Sequence, residues 1–228
     1  MERTEVERLL DSAEQTLASG APVDLRRLGF WRAVETVKDH RDWIEAYGDR
    51  ISAIDREAFR RTTWIDVPLT LGLAGLAIGT LVGLALIGGA FVTPLPVNGL
   101  MILVGAGVLL ATTHDLAHWA VGRAVGIRFT EFFIARPSRP QPGIKIDYAT
   151  YLRTPPRARA WMHASGALVT KAIPFALIPV AIAAQAPRWV VVILTLLGVA
   201  QVATDVLFST KTSDWKRFRR EMKHTRTG

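Results

Sequence analysis

From Val67 to Thr113 the chain carries no Lys, Arg, Asp, Glu or His, and then three ionisable side chains arrive within five residues, His114-Asp115-Leu116-Ala117-His118. Crossing the hydrocarbon core of a bilayer takes ~20 consecutive apolar residues, so this run is long enough for two crossings. An ionisable group at membrane depth costs at least ~2.5–3.5 kcal/mol on insertion scales, and such groups rarely persist without a task. Two imidazoles at i and i+4 share one face of a helix and can grip one metal ion. The plainer alternative is a helix end leaving the bilayer, where His and Asp meet water.

Composition points to the same class. Half of the 228 residues are hydrophobic and the mean hydropathy is +0.22, high for a soluble domain. Four segments are apolar enough to span, at about 67–92, 98–122, 161–184 and 189–208. The second carries the His-Asp-His cluster, and the third carries His163 and Lys171. Pro-rich Thr93–Asn98 reads as a tight turn, and Ala186-Pro187-Arg188 closes the second helical pair. Residues 1–60 are densely charged, so no cleavable signal peptide is expected and the first span serves as its own insertion signal. The predicted fold is a mainly α, polytopic membrane protein. It has four transmembrane helices, a small β-hairpin between the second and third, and a soluble helical segment at the amino terminus. The expected organisation is a cytoplasmic amphipathic segment over 1–62, a membrane-embedded domain over 63–220 and a basic tail over 221–228.

Charge gives the predicted orientation. Residues 1–62 hold 11 basic and 13 acidic side chains, the connection 123–160 holds 8 and 2, and the tail 209–228 holds 7 and 2. The turn at 93–98 has no charge and the turn near 185–188 has only Arg188. Positive residues in short loops stay cytoplasmic, which puts both termini inside a cell membrane crossed four times. Basic residues at membrane edges account for the high isoelectric point, so the lipid bilayer is the expected partner and nucleic acid is not. With no Cys there are no thiolate ligands, and any zinc must use His and carboxylates.

In the amino-terminal segment Leu9, Leu10, Ala13 and Leu17 keep helical spacing. Gly20-Ala21-Pro22 breaks the chain and Asp24 can cap a new helix. Trp31, Val34, Val37, Trp43, Ile44 and Tyr47 follow with a period near 3.6, ending about Gly48, and Ile51, Ile54 and Ala58 continue into the first span. This reads as a helical docking unit or as an amphipathic layer on the inner leaflet.

Catalytic zinc usually takes three protein ligands and leaves one position open. His40 and His224 read as surface histidines. Asp205, inside the fourth span, and Asp214, just after it, remain as carboxylates that can meet the histidine pair. The second and fourth spans run in the same direction, so His114, His118 and an acid from this region converge near the cytoplasmic face. Asp115 could accept a proton from a metal-polarised water and pass it to a leaving amine.

His114-Asp115-x-x-His118 resembles the His-Glu-x-x-His of the site-2 protease family, membrane-embedded zinc metalloproteases. Ser213-Asp214-Trp215 resembles that family's Leu-Asp-Gly motif. Ala164-Ser165-Gly166-Ala167-Leu168-Val169-Thr170, approached by Arg157 and Arg159, resembles its Gly-Pro-x-x-Asn element. The likeness covers roughly residues 98–220. It implies a metalloendopeptidase that cleaves a membrane-spanning protein substrate near the cytoplasmic face. His114, His118 and Asp214 would hold Zn2+ and Asp115 would act as general base and acid. Gly166 and Thr170 would line the substrate path, with Asp205 or His163 as supporting residues or alternative ligands. It also implies that a sheet near residues 127–148 binds unwound substrate by strand addition. Ile127–Ile134 and Ile144–Tyr148 are rich in β-branched and aromatic residues, with Pro137, Pro140, Pro142 and Gly143 between them.

The departures from the pattern are Asp for Glu at 115, Ala167 and Thr170 for Pro and Asn, and Trp215 for Gly. A pseudoprotease acting as a membrane scaffold is therefore the main alternative. A di-iron oxidase has too few histidines here, with five in all, and a transporter would be expected to show an internal repeat.

Overall fold

The computed structural model describes residues 1–135, 142–207 and 213–226. In chain order the elements are α1 (Arg3–Ala18), α2 (Phe30–Val37), α3 (Arg41–Thr62), β1 (Ile65–Pro68), α4 (Leu69–Gly89), α5 (Val97–Ala124), β2 (Phe129–Ile134), β3 (Pro142–Ile146), α6 (Tyr148–Arg153), α7 (Pro156–Ala183), α8 (Arg188–Leu207) and α9 (Asp214–Lys223), with a 3-10 turn at His224–Arg226. The chain divides into two compact units, one from Met1–Leu69, Gly122–Arg159 and Glu221–Gly228 and the other from Thr70–Val121 and Ala160–Arg220.

The first unit is built on α1, α2 and α3. Val6, Leu9, Leu10, Ala13 and Leu17 form the buried stripe of α1, and Phe30, Ala33, Val34 and Val37 that of α2, both at helical spacing. Asp24 does not cap α2. Its carboxylate accepts from the N–H groups of Arg26 and Arg27, at 3.0 and 3.3 Å, and closes a local turn. The helix instead follows Gly29, whose φ of +76° suits a residue without a side chain. The predicted helix ending near Gly48 is also corrected. The chain breaks at residues 38–40, and α3 runs unbroken through Gly48, which is buried. The break turns Lys38 into ion pairs with Glu35 at 2.8 Å and Glu221 at 2.6 Å. Glu221 is a partner far away in sequence that no local period reveals.

The expected hairpin is present as β2 and β3, and its connection, with Pro137 and Pro140, lies outside the described residues. The sheet has a third strand. β1 pairs antiparallel with β2, Ile65 opposite Ile134 and Pro68 opposite Glu131, giving the order β1-β2-β3. The sequence reading assigns Val67 and Pro68 to the first span, because a strand of four residues is too short to show alternation and is set by its partner. Tyr148 likewise leaves the predicted strand. Asp147 caps α6 by accepting from Ala149 N–H at 3.3 Å, and it also accepts from Ser52 Oγ at 2.6 Å. The ion pair of Lys145 with Asp55 and an edge-on contact of Phe59 with Phe133 tie α3 to the sheet.

Among the described residues, four helices are long and apolar enough to cross a membrane, Leu69–Gly89, Val97–Ala124, Pro156–Ala183 and Arg188–Asp205, and the greater part of each falls in the second unit. Only 22, 22, 28 and 17 % of their most apolar windows is buried. Leu71, Ile78, Leu81, Val104, Ile182 and Leu196 point outward, a surface that suits hydrocarbon rather than water. Inside, Ile87, Ile102, Ala106, Leu109, Leu177, Ala181, Val190 and Leu194 form one core. A Cβ added to Gly83 would stand 3.1 Å from the Gly105 carbonyl, so the backbones of α4 and α5 touch there. α7 starts at Pro156, a residue suited to the first helical position, so Arg157, Arg159 and His163 lie within the helix.

Candidate metal centre

α5 presents His114 and His118 one turn apart, their rings perpendicular and 4.7 Å between centroids. The two Nε2 atoms are 3.2 Å apart. Oδ2 of Asp214, the first residue of α9, lies 3.3 Å from Nε2 of His114 and 3.4 Å from Nε2 of His118. Bonds of ~2.0–2.1 Å to a tetrahedral centre give ligand–ligand edges of about 3.3–3.4 Å, so the three donor atoms have the spacing of three corners of a zinc coordination shell. Among the described residues, this is the one group of His, Cys, Asp and Glu arranged to hold a metal ion.

The hydrogen bonds around the triangle fit the same reading. Nδ1 of His118 is 2.7 Å from the Met162 carbonyl oxygen. A carbonyl can only accept, so Nδ1 carries the proton, and in the neutral ring Nε2 is left as a lone pair facing the other two donors. Metal-bound histidines are oriented in this way by the bond their other nitrogen makes. Three lone-pair donors facing one another need a cation between them. Burial drives the Asp214 carboxyl up, but when the rings are protonated a hydrogen bond from His118 and the charge of both imidazoles hold it below the usual carboxylate range. It is a group stabilised by positive charge, which a proton on a ring or a metal ion can supply.

Gly166 forms the wall behind the rings. A Cβ at this position would lie 2.5 Å from Nε2 of His118 and 2.9 Å from Cε1 of His114. The sequence motif marks Gly166 as a substrate-path residue, whereas the structure sets it against the imidazoles, a role that depends on what lies opposite it. The Thr170 hydroxyl donates within its own helix, to the carbonyls of Gly166 at 3.0 Å and Ala167 at 3.2 Å. α9 is held against α7 by the ring contact of Phe218 with Trp161, 5.4 Å, and Phe218 also meets Trp215 of its own helix edge-on at 5.6 Å. Trp161 and Phe218 were not singled out from sequence.

The remaining expected residues are placed elsewhere. Asp205 forms an ion pair with Lys171, whose ammonium also donates to the Ala167 carbonyl at 3.3 Å, so this carboxylate is engaged outside the triangle. His163 is buried within α7. His40 precedes α3 and stacks on Trp43 at 4.3 Å. His224 donates to Asp39 at 2.6 Å and to Glu35 at 3.2 Å. Asp115, beside the first imidazole and half-buried, interacts electrostatically with His114, His118 and Asp214. It is therefore within the field of the candidate centre without being one of its three donors. No protein-family model, curated protein or solved structure matches the chain.

Proposed function

We propose that this protein is a zinc-dependent intramembrane endopeptidase that cleaves a membrane-spanning segment near the cytoplasmic face. The observation that carries the reading is the triangle of His114, His118 and Asp214, with 3.2–3.4 Å edges, two corners on α5, a helix apolar enough to cross a membrane, and the third at the start of the basic helix α9. Its resemblance to the site-2 protease pattern supports the same chemistry.

Zinc held by two imidazoles and a carboxylate supplies Lewis acidity toward a peptide carbonyl and toward water. The protein's own residues divide the remaining work. The Nδ1–H of His118 bonds to the Met162 carbonyl and keeps Nε2 available as a donor. Gly166 leaves room for both rings. A carboxylate oxygen of Asp115 takes a proton from the attacking water and returns it to the amide nitrogen of the departing segment. Apolar helix surfaces restrict bulk water, and a substrate helix must unwind to expose its carbonyl.

Metal analysis of the detergent-purified chain tests the centre, with about one zinc per chain expected and loss of zinc in His114→Ala and in Asp214→Ala. Asp115→Asn tests the chemistry. We expect zinc to be retained and cleavage of a transmembrane test peptide to fall by about 100-fold or more. Cleavage equal to the parent would overturn the base assignment. The shorter acid at 115 favours one second reading, a metal-holding scaffold without activity. Zinc without cleavage in the parent, gained on Asp115→Glu, would establish it.

A further inference from the structure

Within the first unit, a cavity of about 390 Å3 lies where α2 ends, α3 begins and α6 gives way to α7. Its volume is in the range of small-molecule sites. Five basic side chains line it, Lys38, Arg41, Arg153, Arg159 and His224, with two acids, Asp39 and Glu45.

The acids in and around the cavity are already engaged. Glu221 accepts from Lys38 Nζ at 2.6 Å and from Arg159 Nε at 2.7 Å. Glu35 accepts from Lys38 and His224, and Asp39 from His224. Asp49 takes two bonds of 2.9 Å from Arg153, and Glu45 takes one of 3.2 Å. Donors are left over. Arg159 is fully buried, yet its Nη2 has no hydrogen-bond partner. The exposed Arg41 makes no ion pair among the described residues. Two helix starts also line the space, at Arg41 and at Pro155-Pro156. The residue before α3, His40, provides no side-chain cap.

Spare guanidinium donors and the uncapped start of α3 around a cavity whose acids are spent call for an oxyanion. The planar fork of arginine matches phosphate geometry. We propose that this cavity binds a phosphate group, carried by a soluble small molecule or by a lipid headgroup, with Arg41 and Arg159 as its anchors. The site is separate from the candidate metal centre and does not depend on the peptidase reading.

Calorimetric titration of the full chain in phosphatidylcholine nanodiscs, with pyrophosphate as probe, tests the proposal. Saturable binding is expected. Arg41→Gln, at an exposed position where folding is not at stake, should weaken it by about tenfold or more. The control Arg26→Gln, on an exposed turn, and Asp214→Ala, at the metal centre, should leave binding unchanged. Pyrophosphate binding identifies a soluble ligand. Thermal stabilisation only when phosphatidylglycerol is added, and lost in Arg41→Gln, identifies a lipid headgroup. Neither response, an equal effect of Arg26→Gln, or loss of pyrophosphate binding in Asp214→Ala overturns the proposal.

Discussion

At Gly166 an added methyl group would press on Nε2 of His118, and the ring cannot swing aside while its Nδ1 is bonded to the Met162 carbonyl. Gly166→Ala should therefore lower zinc affinity by about 10–100-fold, the usual cost of disturbing what supports a ligand. Helix content by circular dichroism should stay at the parental level. Unchanged zinc affinity would mean that α7 yields by a few tenths of an ångström and that the wall is soft. The three candidate ligands could be read before any coordinates, because His-x-x-x-His has a fixed consequence on a helix, the expected course of the fourth span brings Asp205 and Asp214 toward the same end, and the likeness of Ser213-Asp214-Trp215 to the family motif favours Asp214. The position of Gly166 could not be read that way. A glycine has no chemistry of its own, and its meaning comes from the side chains across the interface.

Among the elements, α7 and α8 are joined by Lys171 and Asp205, two opposite charges inside candidate spans. If these helices span a bilayer, removing one partner leaves a lone charge at membrane depth, worth at least ~2.5–3.5 kcal/mol. Lys171→Met should cut the yield of folded, detergent-stable protein, and Lys171→Met with Asp205→Leu should recover it, because an apolar pair replaces an ion pair at little cost. Equal losses in the single and double variants would assign another task to Lys171. In the other unit, His224 clips the 3-10 turn to α2. Its carboxylate partners Glu35 and Asp39 raise its pKa above the usual imidazole value, against the opposing effect of burial. Burial would raise Glu35, but the hydrogen bond from His224 and the nearby Lys38 hold it at about 2. The signs fix the window. The His224 contribution is complete below ~6.5 and lost as pH rises through its raised folded value, whereas that of Glu35 is complete above ~4.3 and lost toward 2. The thermal midpoint should fall from pH 6 to pH 9 in the parent and fall less in His224→Gln. The long helices were legible from their unbroken apolar composition, whereas β1 and the break after α2 were not, since both are made by distant partners.

For the whole molecule, the charge asymmetry of the loops predicts both termini in the cytoplasm. The chain has no cysteine, so single cysteines can report this directly. A membrane-impermeant maleimide should label Leu95→Cys in intact cells, and should label Ser19→Cys and Thr225→Cys only after permeabilisation. The opposite pattern would invert the orientation and move the metal centre to the outer face. The division into two units follows a boundary that linear reading misses. Glu221 falls in the stretch read as a basic tail, yet it is buried between Lys38 and Arg159, because a carboxylate between two cations offsets the desolvation of all three.

The partner of His118 Nδ1 is a main-chain oxygen, and that has a practical consequence for anyone mapping this protein by mutagenesis. Replacing Met162 with any other residue keeps the carbonyl, so an alanine scan along α7 would register at position 162 only the loss of its buried side chain. The group that aims the imidazole would leave no trace in such a survey.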